Sequence, residues 1–132
     1  MTNWQLSWNH KNYNGEARVK KALENPETYT SMFQSWGRSS TSNIAKIKVG
    51  DTIYISCKKK CIARAIVSHA FFRTTEINTD EFIKNPDDHT SRNSPRWYCS
   101  IEITYIYPVD ERPNLLGNQN TFCDPKKAFW KN

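Results

Sequence analysis

Trp97-Tyr98-Cys99-Ser100-Ile101-Glu102-Ile103-Thr104-Tyr105-Ile106-Tyr107 is the stretch on which the fold turns. Its odd positions carry Trp97, Cys99, Ile101, Ile103, Tyr105 and Tyr107; its even positions carry Tyr98, Ser100, Glu102, Thr104 and Ile106. Side chains alternate across a strand with a period of two, so the odd set predicts one buried face of a long β-strand. Trp97 opens that face and points with the core, but from its rim. Pro108 and Pro113 end the strand, because proline has no N–H to give to a ladder.

Upstream, Val49-Gly50-Asp51 is a turn that feeds Thr52-Ile53-Tyr54-Ile55-Ser56, whose isoleucines share one face. Lys58-Lys59-Lys60 is a charged turn before Cys61-Ile62-Ala63-Arg64-Ala65-Ile66-Val67. This second run is almost continuously apolar, as a central strand covered on both sides should be. The two runs predict a hairpin. Trp4-Gln5-Leu6-Ser7-Trp8 alternates like a half-buried strand. Glu16 to Glu24 places Ala17, Lys20 or Lys21, and Leu23 at helical spacing, and Asn25-Pro26 stops it. A second helical turn is predicted from Pro26 through Phe33, with Asn25 as its cap. Thr79 or Asp80 caps a short helix through Phe82, and Asn85 to Arg96 reads as a polar loop. Leu115 to Phe122 reads as a loop and short strand, and Pro125 opens a terminal helical turn. Five or six strands with few short helices predict one α+β domain over residues 1–132, a small mixed β-barrel with short flanking helices.

The chain carries 19 lysines and arginines against 13 acids, a net charge of +6. Such a balance most often serves nucleic acid, since phosphates attract a basic surface at long range; the bland alternative is solubility alone. Four glycines argue against glycine-rich phosphate loops. There is no P-loop, no Gly-x-Ser-x-Gly elbow, no His-Glu-x-x-His and no dinucleotide fingerprint, so no cofactor is expected. No apolar run approaches the ~20 residues that span a bilayer, and the N-terminus does not read as a signal peptide. A monomer with no membrane partner, in the cytoplasm or nucleus, is the expectation.

Cys57, Cys61, Cys99 and Cys123 read as core thiols of a reducing compartment. A zinc reading needs Cys99, Cys123 or a histidine to complete what Cys57 and Cys61 begin. His10, His69 and His89 are scattered: His69 reads as a strand-end residue and His89 as part of a solvated loop. A cysteine nucleophile paired in space with one of them stays open.

Five tryptophans in 132 residues are many. Trp4, Trp8 and Trp130 are most easily read as packing. Trp36, in Gln34-Ser35-Trp36-Gly37-Arg38-Ser39-Ser40, and Trp97, after Asn93-Ser94-Pro95-Arg96, each sit among polar neighbours at the edge of an ordered element. An aromatic face at a barrel mouth stacks a base at roughly 1–3 kcal/mol. Two facing rings also enclose a methyl group, which has no hydrogen-bonding needs. Rim packing is the plain alternative. Arg38, Arg92 and Arg96 share segments with these tryptophans, as phosphate contacts bordering a base pocket would. Lys58, Lys59 and Lys60 suit phosphates too, although exposed lysines also guard strand edges.

Pro95-Arg96-Trp97-Tyr98-Cys99-Ser100-Ile101-Glu102-Ile103, running on to Pro108 and Pro113-Asn114, resembles the final strand of the PUA-like superfamily, near its EVE and YTH domains. Trp36-Gly37-Arg38-Ser39 followed by Lys48-Val49-Gly50-Asp51-Thr52-Ile53-Tyr54-Ile55 is similar to the tryptophan loop and Gly-Asp strand of the EVE group. Cys61 to Val67 matches the next strand, and Leu116 to Phe122 resembles the closing segment. The resemblance implies a barrel that flips a modified base into an aromatic cage: N6-methyladenine in YTH domains, modified cytosines and other bases in EVE-like ones. It makes Trp36 and Trp97 the cage walls. It also makes Ser7, Trp8, Asn9, Arg38 and Ser39 candidates for contacts to the base edge or backbone. The loop from Asp87 to Arg96 lacks the second tryptophan of YTH domains, and the loop after Trp36 lacks the Arg-Asn run of EVE domains, which leaves the base open.

The expected partner is RNA or DNA carrying a methylated base, read without catalysis. The rival is a hydrolase or ribonuclease of the related ASCH branch, for which Lys46, Lys48 and Glu102 are the thin candidates. A third class is a protein-interaction module whose aromatic rim meets a partner protein.

Overall fold

The computed structural model describes residues 3–8, 11, 13–35, 46–74, 82 and 96–114, with the backbone alone at 33–35, 73–74 and 96–97. In chain order these form β1 (Asn3–Ser7), α1 (Gly15–Glu24), α2 (Pro26–Tyr29), β2 (Ser31–Ser35), β3 (Thr52–Cys57), β4 (Lys60–Thr74) and β5 (Arg96–Ile106). A 3-10 turn, Val109–Glu111, follows. The five strands make one mixed sheet of order β1-β3-β4-β5-β2. β1 runs parallel to β3, and the other pairings are antiparallel. The fold class is α+β, as the sequence predicts. Among the described residues the sheet is open, with β1 and β2 at its edges.

Alternation puts the apolar sets of β1, β3, β4 and β5 on one face. Trp4 and Leu6 of β1, Ile53 and Ile55 of β3, Ala63, Ala65 and Val67 of β4, and Cys99, Ile101 and Ile103 of β5 form the core. Each fully buried isoleucine or leucine there contributes roughly 1.5–3 kcal/mol. α1 covers this face. The Asn14 side chain caps it by accepting from the Ala17 N–H at 3.2 Å. Its buried residues are Gly15, Arg18, Val19 and Ala22, whereas Leu23 is left exposed.

Three sequence expectations are corrected. The second helix stops at Tyr29 instead of reaching Phe33, and Ser31–Ser35 is a strand on β5. Its carbonyls are taken by other donors: Thr30 Oγ1 donates to Pro26 O, and Arg18 donates to Tyr29 O and Ser31 O. The Ile103 N–H, which takes the Thr30 carbonyl at 2.8 Å, then draws the chain into the sheet. The second apolar run also extends beyond Val67, because β4 continues to Thr74; exposed His69 therefore lies within the strand.

The third correction concerns the odd face of β5. Ala65 pairs with Ile103 but Arg64 pairs with Tyr105, so Thr104 is an extra residue on β5. A bulge of this kind reverses which side chains face the core. Ile103 is buried, Tyr105 turns outward at 40% exposure, and Ile106 takes the inward place. Tyr107 joins Tyr54 and Cys61 in a smaller cluster on the opposite face.

Candidate nucleic-acid interface

The tryptophans that the sequence singles out flank the paired ends of β2 and β5 in the chain. The register aligns Gln34 with Cys99 and Ser35 with Tyr98. Trp36 follows Ser35 in the sequence, and Trp97 precedes Tyr98. On its other side β5 pairs Trp97 with Arg73 and Arg96 with Thr74 of β4. Trp36, Arg38, Ser39, Asn9 and Arg92 lie outside the described residues, as do the side chains of Arg96 and Trp97.

The other proposed contacts are placed more fully. Trp8 is 4% exposed and belongs to the core, its ring 5.0 Å from that of Tyr13. A neighbouring structural reason fixes it there: its N–H donates to Ser56 O at 2.8 Å, which carries the β1 alignment past Ser7. Ser7 is half-buried, with Oγ 3.2 Å from Ser56 Oγ. Lys58 and Lys59 form the β3–β4 turn, both with positive φ (53° and 67°), while Lys60 is the first residue of β4. All three lysines are exposed.

The lysines and Trp97 are not neighbours. Trp97 pairs with Arg73, and Lys60 stands thirteen residues earlier in the same strand. At ~3.3 Å per residue that is up to about 43 Å, shortened by the irregularities of β4. A ligand touching both would cover about one turn of duplex.

The hydrolase candidates are all at exposed positions. Lys46 and Lys48 are exposed before β3, and Glu102 is exposed on β5 opposite Ser31 and Ile66. The Lys48 backbone N–H donates to Asp51 Oδ2 at 3.0 Å, and the same oxygen accepts Trp4 Nε1 at 3.0 Å. This carboxylate is therefore engaged in holding the loop before β3 to β1. Cys57, Cys61 and Cys99 are buried free thiols. Burial pushes Cys61 and Cys99 up to about 12, so neither is a ready thiolate near neutral pH.

Sequence reasoning passed over a second cluster. Tyr54 of β3, Arg64 of β4 and Tyr105 of β5 are successive register partners, so they form a row across three strands. The Arg64 guanidinium carbon lies 4.7 Å from the Tyr105 ring centroid and 5.7 Å from that of Tyr107. Arg64 Nε is buried and has no hydrogen-bond partner. The signal was present: an arginine interrupts an otherwise apolar central strand.

No family model matches this chain, and no curated protein does. Among solved structures it is similar to a hypothetical protein from Leishmania major, with 13% identity and a TM-score of 0.52 over 83% of this chain and 68% of that one. A protein from Pseudomonas syringae aligns at 10% identity and a TM-score of 0.46, over 80% of this chain and 70% of that one. The likeness to the Leishmania protein is one of fold.

Proposed function

We propose that this chain is a non-catalytic nucleic-acid reader that seats a methylated base between Trp36 and Trp97. The observation that carries the reading is the Ser35–Tyr98 pair. Its covalent neighbours are the two tryptophans that the sequence singles out, Trp36 after Ser35 and Trp97 before Tyr98. Adjacent strands lie ~4.8 Å apart, so Ser35 and Tyr98, to which the two tryptophans are joined, sit side by side at one end of the β2–β5 pair. The net charge of +6 supplies long-range attraction for a polyanion. The finer fold belonging to this reading is a PUA-like barrel of the EVE or YTH type. On this reading base contacts fall to Arg38, Ser39 and Asn9; Ser7 pairs with Ser56, itself opposite Cys61 at the Lys60 end of the sheet and away from Trp97, and Trp8 is a core residue. Arg92 and Arg96 are the phosphate contacts next to the cage.

Flipping a base costs a few kcal/mol, which stacking and edge hydrogen bonds must return. Trp97→Ala removes one stacking face, worth about 1–3 kcal/mol, so affinity for the preferred oligonucleotide falls about five- to 150-fold. The test is a binding panel of RNA and DNA oligonucleotides that differ in one base modification, N6-methyladenine and 5-methylcytosine among them. Circular dichroism checks that the variant folds. Equal affinity of wild type and Trp97→Ala for every oligonucleotide would overturn the reading. Absence of all nucleic-acid binding at low salt would favour the protein-interaction module.

A further inference from the structure

We propose that the row Tyr54–Arg64–Tyr105, with Tyr107 beside it, is a second binding site, one that takes a phosphate oxyanion on Arg64. The inference stands apart from Trp36 and Trp97, because Arg64 is nine residues from Arg73 along β4, up to about 30 Å at ~3.3 Å per residue.

Arg64 is an unusual cation for a central strand. Among the described residues no carboxylate forms an ion pair with it, and its Nε has no hydrogen-bond partner. What holds it is aromatic: the Tyr105 and Tyr107 rings lie 4.7 and 5.7 Å from its guanidinium carbon. These rings are themselves packed edge to face, with centroids 4.9 Å apart at 86°. Stacking engages the faces of a guanidinium, while its N–H groups radiate in the plane. A guanidinium held by cation–π contact with two rings still has N–H donors to offer an oxyanion. That planar fork is the group that recognises an oxyanion in two parallel hydrogen bonds.

The surroundings favour negative charge. Arg112 is the second guanidinium near this cluster, and both arginines act on Cys61 through space. Its two Nη atoms hold Glu16, while its Nε is buried without a partner, as is that of Arg64. Arg112 is thus matched by Glu16, whereas no ion pair joins Arg64 to a carboxylate among the described residues. Burial raises the Tyr107 phenol above its ordinary value, so it keeps its proton and can donate. Tyr105 is 40% exposed and Arg64 half-buried, which leaves the site open to solvent. The bulge at Thr104 creates the arrangement, since without it Tyr105 would face the core.

The oxyanion could be a free phosphate or the backbone of a bound nucleic acid, and two titrations separate them. The whole protein is titrated with inorganic phosphate, and separately with an unmodified oligothymidylate without terminal phosphates. Both are followed by amide chemical shifts and calorimetry. Arg64→Gln is expected to weaken whichever ligand binds at least about tenfold, as loss of charge-assisted hydrogen bonds implies. Arg64→Lys, which keeps the charge but not the fork, should recover only part of this. Dependence on Arg64 with inorganic phosphate assigns a free-anion site; dependence with the oligonucleotide alone assigns a backbone contact. Should Arg64→Gln fail to fold, Tyr105→Leu loosens the guanidinium and should weaken binding in the same sense. Unchanged affinity for both ligands in the folded variant, or no binding of either ligand by wild type, overturns the proposal. Trp97→Ala leaves the phosphate titration unchanged, so the failure of one proposal is distinguishable from that of the other.

Discussion

Gly15 begins α1 directly against the Trp8 ring. A Cβ built there lies 2.7 Å from Trp8 Cε3 and 3.5 Å from Ile62 Cδ1. Two effects of Gly15→Ala oppose each other. Alanine is favoured over glycine in a helix by about 0.5–1 kcal/mol. The methyl must also displace a buried indole that Tyr13 backs at 5.0 Å, and overpacking of a core costs about 1–3 kcal/mol. The clash should win, because the Trp8 ring is 4% exposed and packed against Tyr13. Urea unfolding should show Gly15→Ala less stable by about 1–2 kcal/mol; a variant as stable as wild type would mean that the indole moves freely. The same contact explains why Trp8 stays in the core although it directly follows the strand that carries Ser7.

At the scale of elements, the β3–β4 hairpin joins local strain to the charge proposed for binding. Lys58 and Lys59 both sit at left-handed φ, 53° and 67°, the backbone of the tight turn that suits a twisted hairpin. Asn-Gly is the preferred pair there, and a side chain in that region costs of the order of 1 kcal/mol. The double variant Lys58→Asn, Lys59→Gly should therefore raise the urea midpoint, by about 1 kcal/mol of stability. If the lysines meet phosphates, the same variant binds oligonucleotides more weakly and with a flatter salt dependence, the slope falling by about 0.7–0.9 per lost contact. Stability and binding then move in opposite directions, and a solubility role for the lysines predicts the first change without the second. This hairpin was legible in the sequence because Ile53 and Ile55 alternate and the following run is apolar throughout. β5 was legible as far as Ile103 for the same reason. Beyond it the alternation of Ile103, Tyr105 and Tyr107 misled, since a bulge adds one residue without changing the pattern. The Pro26 segment misled differently: its helix signal is real, but strand pairing with β5 overrides it from Ser31 onward. The candidate site was legible only as residue types, with Trp36 and Trp97 flagged by their polar neighbours. Arg64 was visible as a charge in an apolar strand, but its meaning depends on cross-strand partners far away in sequence.

One ion pair ties the two ends of the described molecule together. Arg112, beyond the last strand, donates from Nη1 and Nη2 to the two carboxylate oxygens of Glu16 at 2.6 and 2.7 Å, across 96 residues of chain. The Arg112 side chain is 8% exposed and that of Glu16 44%. The fork geometry is the strong form of such a pair, yet the exposed carboxylate is partly screened by water. Removing the partner of a deeply buried charge costs 3–5 kcal/mol and an exposed pair contributes below 1, so Glu16→Gln should cost about 1–2 kcal/mol at pH 7. The Arg112 hydrogen bonds hold the Glu16 carboxyl below its ordinary 4.5, with Lys58 adding to the effect and burial opposing it. A carboxyl whose value is depressed on folding adds stability above the unfolded value and loses it as pH falls through the folded one. The gap between wild type and Glu16→Gln should therefore be constant from pH 7 to about 5.5, begin to close below 4.5 and vanish at lower pH. Urea unfolding of both proteins along that pH series measures it. A gap that persists undiminished well below the folded value would show that Glu16 acts through packing and not through charge. A gap that closes assigns to one carboxylate the clamp between α1 and the segment after β5, and with it the placing of Arg112 beside Cys61 at the margin of the Arg64 cluster.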